Sequence, residues 1–129
     1  MNGSLLLDTN IVIALFDSER AMLRKRKRAE RGFLPSIVVG ELFYGAYHSN
    51  QVRKNVAHIE SFALANSVLF CDTDTARHYG QIKSQLRRHG RPLPDNDIWI
   101  AALAIQYDLT LVSRDKHFKE VSDLKVEFW

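Results

Sequence analysis

Short apolar runs alternate with helix-patterned segments along this chain, and an acid stands at the end or edge of four of them. Asp8 closes Ser4-Leu5-Leu6-Leu7, and Glu41 sits within Ile37-Val38-Val39-Gly40-Glu41-Leu42. Asp97 opens Ile98-Trp99-Ile100-Ala101-Ala102, and Asp115 follows Leu111-Val112-Ser113-Arg114. Strands alternating with helices favour a parallel sheet with helices on both faces. Carboxylates at the carboxyl ends of such strands collect in one crevice. Four of them repel one another unless a divalent cation lies between them. The pattern points to a hard-metal site and phosphodiester chemistry.

The individual segments follow from periodicity and punctuation. Ser4 to Leu7 reads as a buried strand, Asp8-Thr9-Asn10 as a turn, and Ile11, Val12, Ala14 and Leu15 as a helix entering the core. Arg20 to Arg31 reads as a polar helix stopped by Gly32. Phe33-Leu34-Pro35 is a very short strand, and Ser36 is a candidate N-cap for the helix carrying Glu41. Val52 to Ala65 is amphipathic, with Val56, Ile59 and Phe62 at helical spacing. Ser67 to Cys71 reads as the next strand, with Val68-Leu69-Phe70 at its centre. Asp72, Thr73 or Asp74 can cap the helix after it, whose inner face is Ala76, Tyr79, Ile82 and Leu86. One Gly and two Pro make 89–94 a loop. Asp95 or Asn96 can cap a helix that turns Ile98, Ala101, Ala102 and Ile105 inward. Thr110 to Val112 is a strand, and Leu124 to Trp129 alternates imperfectly, as a last edge strand does.

At 129 residues, with no linker, repeat or low-complexity stretch, the expectation is one domain spanning 1–129. The only cysteine, Cys71, excludes an internal disulfide and a Cys-rich zinc site, and reads as a small buried hydrophobe in a strand. No apolar run approaches the roughly 20 residues that span a bilayer, and no signal peptide is recognisable. A reducing cytoplasm, away from membranes, is the expected compartment. Charge is unevenly placed. Seven basic residues crowd 19–31 against Glu19 and Glu30, so the rest of a chain of net charge +3 is acidic. A second cluster is Arg77, Lys83, Arg87, Arg88 and Arg91. Two basic clusters around an acidic centre suit a polyanion held while a metal works on it. Arg24, Lys25, Arg87 and Arg88 are the candidate RNA contacts, although solvated helix faces look the same.

Each acid has an ordinary explanation when taken alone. Asp8 could belong to a turn, Asp97 to a helix first turn, and Asp115 to a surface ion pair with Arg114 or Lys116. Glu41 is harder to dismiss, because it sits mid-helix between apolar neighbours where carboxylates are rare without partners. The histidines lie far apart without Cys partners, and His117-Phe118 reads as packing. Tyr44 and Trp99 read as core or interface rather than as platforms for bases.

Leu6-Leu7-Asp8-Thr9-Asn10, Ser36-Ile37-Val38-Val39-Gly40-Glu41-Leu42 with Gly45, Asp97-Ile98-Trp99-Ile100-Ala101-Ala102 and 111–118 together resemble the ordered signature blocks of PIN-domain nucleases. Within that family the chain is most similar to the VapC toxins of prokaryotic toxin–antitoxin pairs. The resemblance runs from Leu5 to about Phe118. It implies a three-layer α/β/α sandwich around a mainly parallel sheet. It also implies a Mg²⁺- or Mn²⁺-dependent endoribonuclease, usually a homodimer, held inactive by a cognate VapB-like antitoxin and reaching promoter DNA only through the antitoxin complex. Carried over by position, Asp8 and Asp97 would be the principal metal ligands. Glu41 would hold water or a second ion, and Asp115 would complete the quartet. Thr9 and Ser113 would be hydroxyls that orient the carboxylates. Asp95 is a competing carboxylate, set aside because Asp97 directly precedes the Ile-Trp-Ile-Ala-Ala helix.

Oxygen ligands select Mg²⁺ or Mn²⁺, one ion or two, and in-line attack by water would leave a 5′-phosphate and a 3′-hydroxyl. A phosphatase of the haloacid dehalogenase type wants Asp-x-Asp-x-Thr at the first strand, and this chain has Asp8-Thr9-Asn10-Ile11-Val12. A receiver domain wants an acid pair there, which is also missing. The remaining alternative is a PIN-like domain that binds RNA or a protein partner without cutting.

Overall fold

The computed structural model describes residues 4–17 and 31–129. Five parallel strands, β1 (Ser4–Leu7), β2 (Arg31–Pro35), β3 (Ser67–Leu69), β4 (Thr110–Ser113) and β5 (Val126–Phe128), form one sheet in the order β3-β2-β1-β4-β5. Five α helices accompany them among the described residues: α1 (Thr9–Phe16), α2 (Ser36–Tyr47), α3 (Val52–Ala65), α4 (Thr73–Arg88) and α5 (Asp95–Gln106). A 3₁₀ helix spans Lys116–Glu120. The polar helix expected from Arg20, with Arg24 and Lys25, lies outside the described residues.

The chain steps outward from β1 to β2 to β3, then returns across the sheet to β4 on the other side of β1. Parallel crossovers are right-handed, so a reversal of direction sends the helices to opposite faces. Hence α1, α2 and α3 cover one face while α4 and α5, packed on each other, cover the other. This is the α/β/α layering that the sequence resemblance implies, with a sheet that is wholly parallel. The central strand β1 is buried along Leu5, Leu6 and Leu7, flanked by Leu34 and by Leu111 and Val112. Helix α5 is buried nearly all round, from Ile98 through Ala104 apart from half-buried Trp99. A helix apolar on every side belongs in such a position.

Several local expectations need correction. β2 begins at Arg31, so Gly32 is a strand residue rather than a helix stop. Ser36 and Asp95 are first helical residues, not caps. Pro35 (φ −63, ψ 138) and Pro94 (φ −57, ψ 144) occupy the N-cap positions without a side-chain hydrogen bond. Proline's fixed φ suits the extended residue that precedes a helix. Asp72 does cap α4, in a reciprocal box: its carboxylate accepts from Thr75 N at 3.0 Å, and Asp72 N donates to Thr75 Oγ1 at 3.0 Å. Thr75, not Ala76, turns inward, because its hydroxyl also bonds the Gln106 amide. Cys71 is exposed, since edge strand β3 ends at Leu69 and Phe70 and Cys71 leave the sheet.

Candidate active site

The strand order reverses between β1 and β4, and ligand crevices of open α/β sheets form at the carboxyl ends of strands where it does so. Leu7 pairs with Val112, and Asp8 N donates to Val112 O at 3.0 Å, which brings Asp8 beside Ser113. Ser113 Oγ donates to Asp8 Oδ2 at 2.7 Å, while Thr9 N donates to Asp8 Oδ1 at 2.8 Å. Asp8 is thus both the cap of α1 and a buried carboxylate. Ser113 Oγ in turn accepts from Asp115 N at 3.0 Å, which fixes the backbone from which Asp115 projects.

Asn10 ties the same corner together. Its Nδ2 lies 3.3 Å from Asp115 Oδ2 and 3.5 Å from both Asp8 Oδ2 and Ser113 Oγ, and its Oδ1 accepts from Arg114 N at 3.1 Å. The contacts at 3.5 Å are weak, so the Asp115 and Arg114 bonds carry the effect. Sequence reasoning assigned Asn10 no role. The available signal was an amide, donor and acceptor in one side chain, two residues beyond a strand-ending carboxylate.

Glu41 reaches the site from α2, where Thr9 Oγ1 donates to its Oε1 at 2.9 Å. It is exposed rather than buried, because Val38, Leu42 and Ala46 take the core-facing stripe of α2 and Glu41 stands just off it. Beside it opens a cleft of about 390 Å³ lined by Thr9, Ile13, Phe16, Asn55 and His58 among others. Asp97 enters from the first turn of α5 with its side chain 17% exposed. The competing carboxylate Asp95 turns away, accepting from Tyr79 Oη at 2.9 Å and Lys83 Nζ at 3.0 Å, bonds that hold it below the usual carboxylate range. His117 is not mere packing. Phe118 fills the core, but His117 Nε2 lies 3.0 Å from Asp97 Oδ2, without the alignment of a hydrogen bond.

The electrostatics report the crowding. Burial pushes Asp97 up to about 6; the charge of Asp8 adds to this, His117 opposes it, and Asp115 and Glu41 raise it further. Asp8 is also raised, by burial first, with the Ser113 and Thr9 hydrogen bonds opposing. Asp97 feels Asp8, Asp115 and Glu41 as negative charge and Asp8 feels Asp115, so the four acids named from sequence lie near one another. Their all-oxygen chemistry fits a hard divalent ion. Among the described residues no three such groups are already drawn in to grip one ion. Of the other expected contacts, Tyr44 is exposed with its ring tilted against His48, and Trp99 stacks on Tyr79 with centroids 4.2 Å apart. Arg87 and Arg88 are exposed in the last turn of α4.

A parallel sheet whose strand order reverses beside carboxylates from two helices and the ends of two strands is an α/β arrangement shared by several enzyme classes, and here the PIN domain model matches residues 5–124. The chain is 37% identical over 127 residues to Ribonuclease VapC2 of Haemophilus influenzae, covering 96% of each. It is 36% identical to the tRNA(fMet)-specific endonuclease VapC of Shigella flexneri, again covering 96% of each. It superposes on a chain of VapBC2 from Rickettsia felis, solved bound to a DNA fragment from their promoter, with a TM-score of 0.90 at 26% identity, covering 98% of each chain. The chain belongs to the PIN-domain family and, within it, to the VapC-type nucleases. No helix among the described residues is long and apolar enough to cross a membrane.

Proposed function

We propose that this chain is a Mg²⁺- or Mn²⁺-dependent endoribonuclease and the toxin of a toxin–antitoxin pair. The observation that carries the reading is the burial of both Asp8 and Asp97 at the switch point, with the charge of Asp8 raising Asp97, a penalty that a cation would relieve. Asp8 and Asp97 would be the principal ligands, with Glu41 and Asp115 at the margins. The ion, when bound, supplies an activated water and offsets charge on the phosphate. The chain's own residues aim the ligands. Ser113 and the Thr9 amide hold the two oxygens of Asp8, each of which keeps further lone-pair capacity. The Thr9 hydroxyl holds Glu41, and the Asn10 amide holds Asp115.

RNA is the polyanion in this reading, with Arg87 and Arg88 as candidate contacts. The relatives support a cognate VapB-like antitoxin, and promoter DNA reached through that complex. The Shigella relative's name makes initiator tRNA the first substrate to try. A homodimer belongs to the same reading, with exposed Tyr44 and Tyr47 on α2 offering an apolar face. The test is cleavage of labelled RNA by the purified protein in Mg²⁺ or Mn²⁺ against EDTA, alongside Asp8→Asn and Asp97→Asn. Metal-dependent cutting lost in both variants is the expected result. RNA bound but never cut, in any metal, would move the reading to the non-cleaving alternative.

A further inference from the structure

Lys116 and Lys119 stand one turn apart on the 3₁₀ helix that follows Asp115, and both ammonium groups lie over the Phe128 ring, 4.1 and 5.5 Å from its centroid. Phe128 is the register partner of Ser113, the residue that touches Asp8. Two strand spacings, about 10 Å, separate β5 from β1. The lysines therefore flank the carboxylates on the β5 side.

Neither lysine has a carboxylate partner among the described residues. Lys83 is paired with Asp95, Lys125 with Asp108 and Arg77 with Asp74, whereas Glu120, on the same turn, faces Arg91 at 3.7 Å. Asp115 is turned to Asn10. Two like charges gathered on one ring repel each other, and an anion between them removes that repulsion. The aromatic face holds both ammoniums while leaving their protons free to donate. The carboxylates themselves repel a polyanion, so a strand entering the site needs cations close beside them.

We propose that Lys116, Lys119 and Phe128 form a phosphate-binding lip that grips the RNA backbone to one side of the phosphate at the carboxylates. This rests on the ribonuclease reading above. Such a contact fixes the register of the strand and carries no base information.

The test is the double variant Lys116→Gln/Lys119→Gln in the full chain. Binding of a labelled single-stranded RNA is followed in EDTA from low to moderate salt, and cleavage is measured in Mn²⁺. Each lost phosphate contact flattens the salt dependence of log K by about 0.7 for a single strand, so two flatten it by about 1.4. We expect that change and weaker binding, with KM raised and the rate at saturating RNA within about twofold of wild type. Lys125→Gln, a charge removed at the other end of the strand pair, should leave the slope nearly unchanged. Wild type that cuts RNA while the double variant keeps the full slope would remove the lip and leave the nuclease standing. Wild type that neither binds nor cuts RNA would remove the nuclease reading, and the lip with it.

Discussion

The Ser113 hydroxyl donates to Asp8 Oδ2 at 2.7 Å across 105 residues of chain. It joins the ends of two adjacent strands at the point where the sheet changes direction, and it orients the most buried of the four carboxylates. Removing it with Ser113→Ala leaves a buried charged acceptor short of a donor, at a cost of about 1–3 kcal/mol. Supporting hydrogen bonds of this kind are worth about 10–100-fold in metal affinity. Urea unfolding and a Mn²⁺ titration of the same variant should show both losses. Unchanged Mn²⁺ affinity with lowered stability would limit Ser113 to a structural part.

Asp8→Asn and Asp97→Asn should each lower metal-dependent cleavage by at least about 100-fold, the upper end of what losing a mere supporting contact costs. Asp95→Asn is the control. It removes the charge that Tyr79 and Lys83 face but should leave cleavage near wild type. Equal losses for Asp95 and Asp97 would overturn the assignment.

The raised Asp97 carboxyl has a thermodynamic signature in the metal-free protein. Its folded value of about 6 lies above the unfolded value of about 3.9. Between those values the folded state binds more protons than the unfolded one, so its contribution to stability falls as pH rises from about 4 to about 6. Melting in EDTA should therefore lose stability over that window, and Asp97→Asn should flatten the loss and be the more stable protein at pH 7. Mn²⁺ should raise the melting temperature more at pH 7 than at pH 5, because ions and protons compete for the carboxylates. A variant with the same pH slope as wild type would disprove the account.

His117 and Phe118 are adjacent but separable. Phe118 is fully buried, and Phe118→Ala should cost about 3–5 kcal/mol. His117→Ala removes a partly exposed ring whose neighbour is Asp97, so it should shift Mn²⁺ affinity far more than unfolding free energy. Equal destabilisation by the two substitutions would return His117 to the packing role that its sequence context suggested.

Much of this architecture is legible in the residues themselves. The apolar run before Asp8, and the similar runs near Leu34, Val68 and Leu111, specify strands, and their separation by helical patterns specifies parallel pairing. The two carboxylates two residues apart diverge, Asp95 toward Lys83 and Asp97 toward His117, which the sequence pattern alone does not show. What periodicity misreads is exposure at the margin of a pattern. Glu41 has apolar neighbours yet is exposed, because a helix turns by 100° per residue and proximity in sequence is not proximity in face. Cys71 continues an apolar run, but that run belongs to an edge strand and leaves the sheet early. Asn10 and His117 act through partners more than a hundred or about twenty positions away, and such pairings exist only once the strands are ordered.

That ordering bears on how such an enzyme is made. A ribosome delivers Asp8 and Glu41 early, but Asp97, Ser113 and Asp115 arrive only with the last third of the polypeptide, and β4 must slot in beside β1 before any of them meet. Long-range parallel pairing of this kind is slow to form. On the proposed reading of the site, a growing chain holds Asp8 and Glu41 without their later partners, and the four acids come together only after β4 has docked.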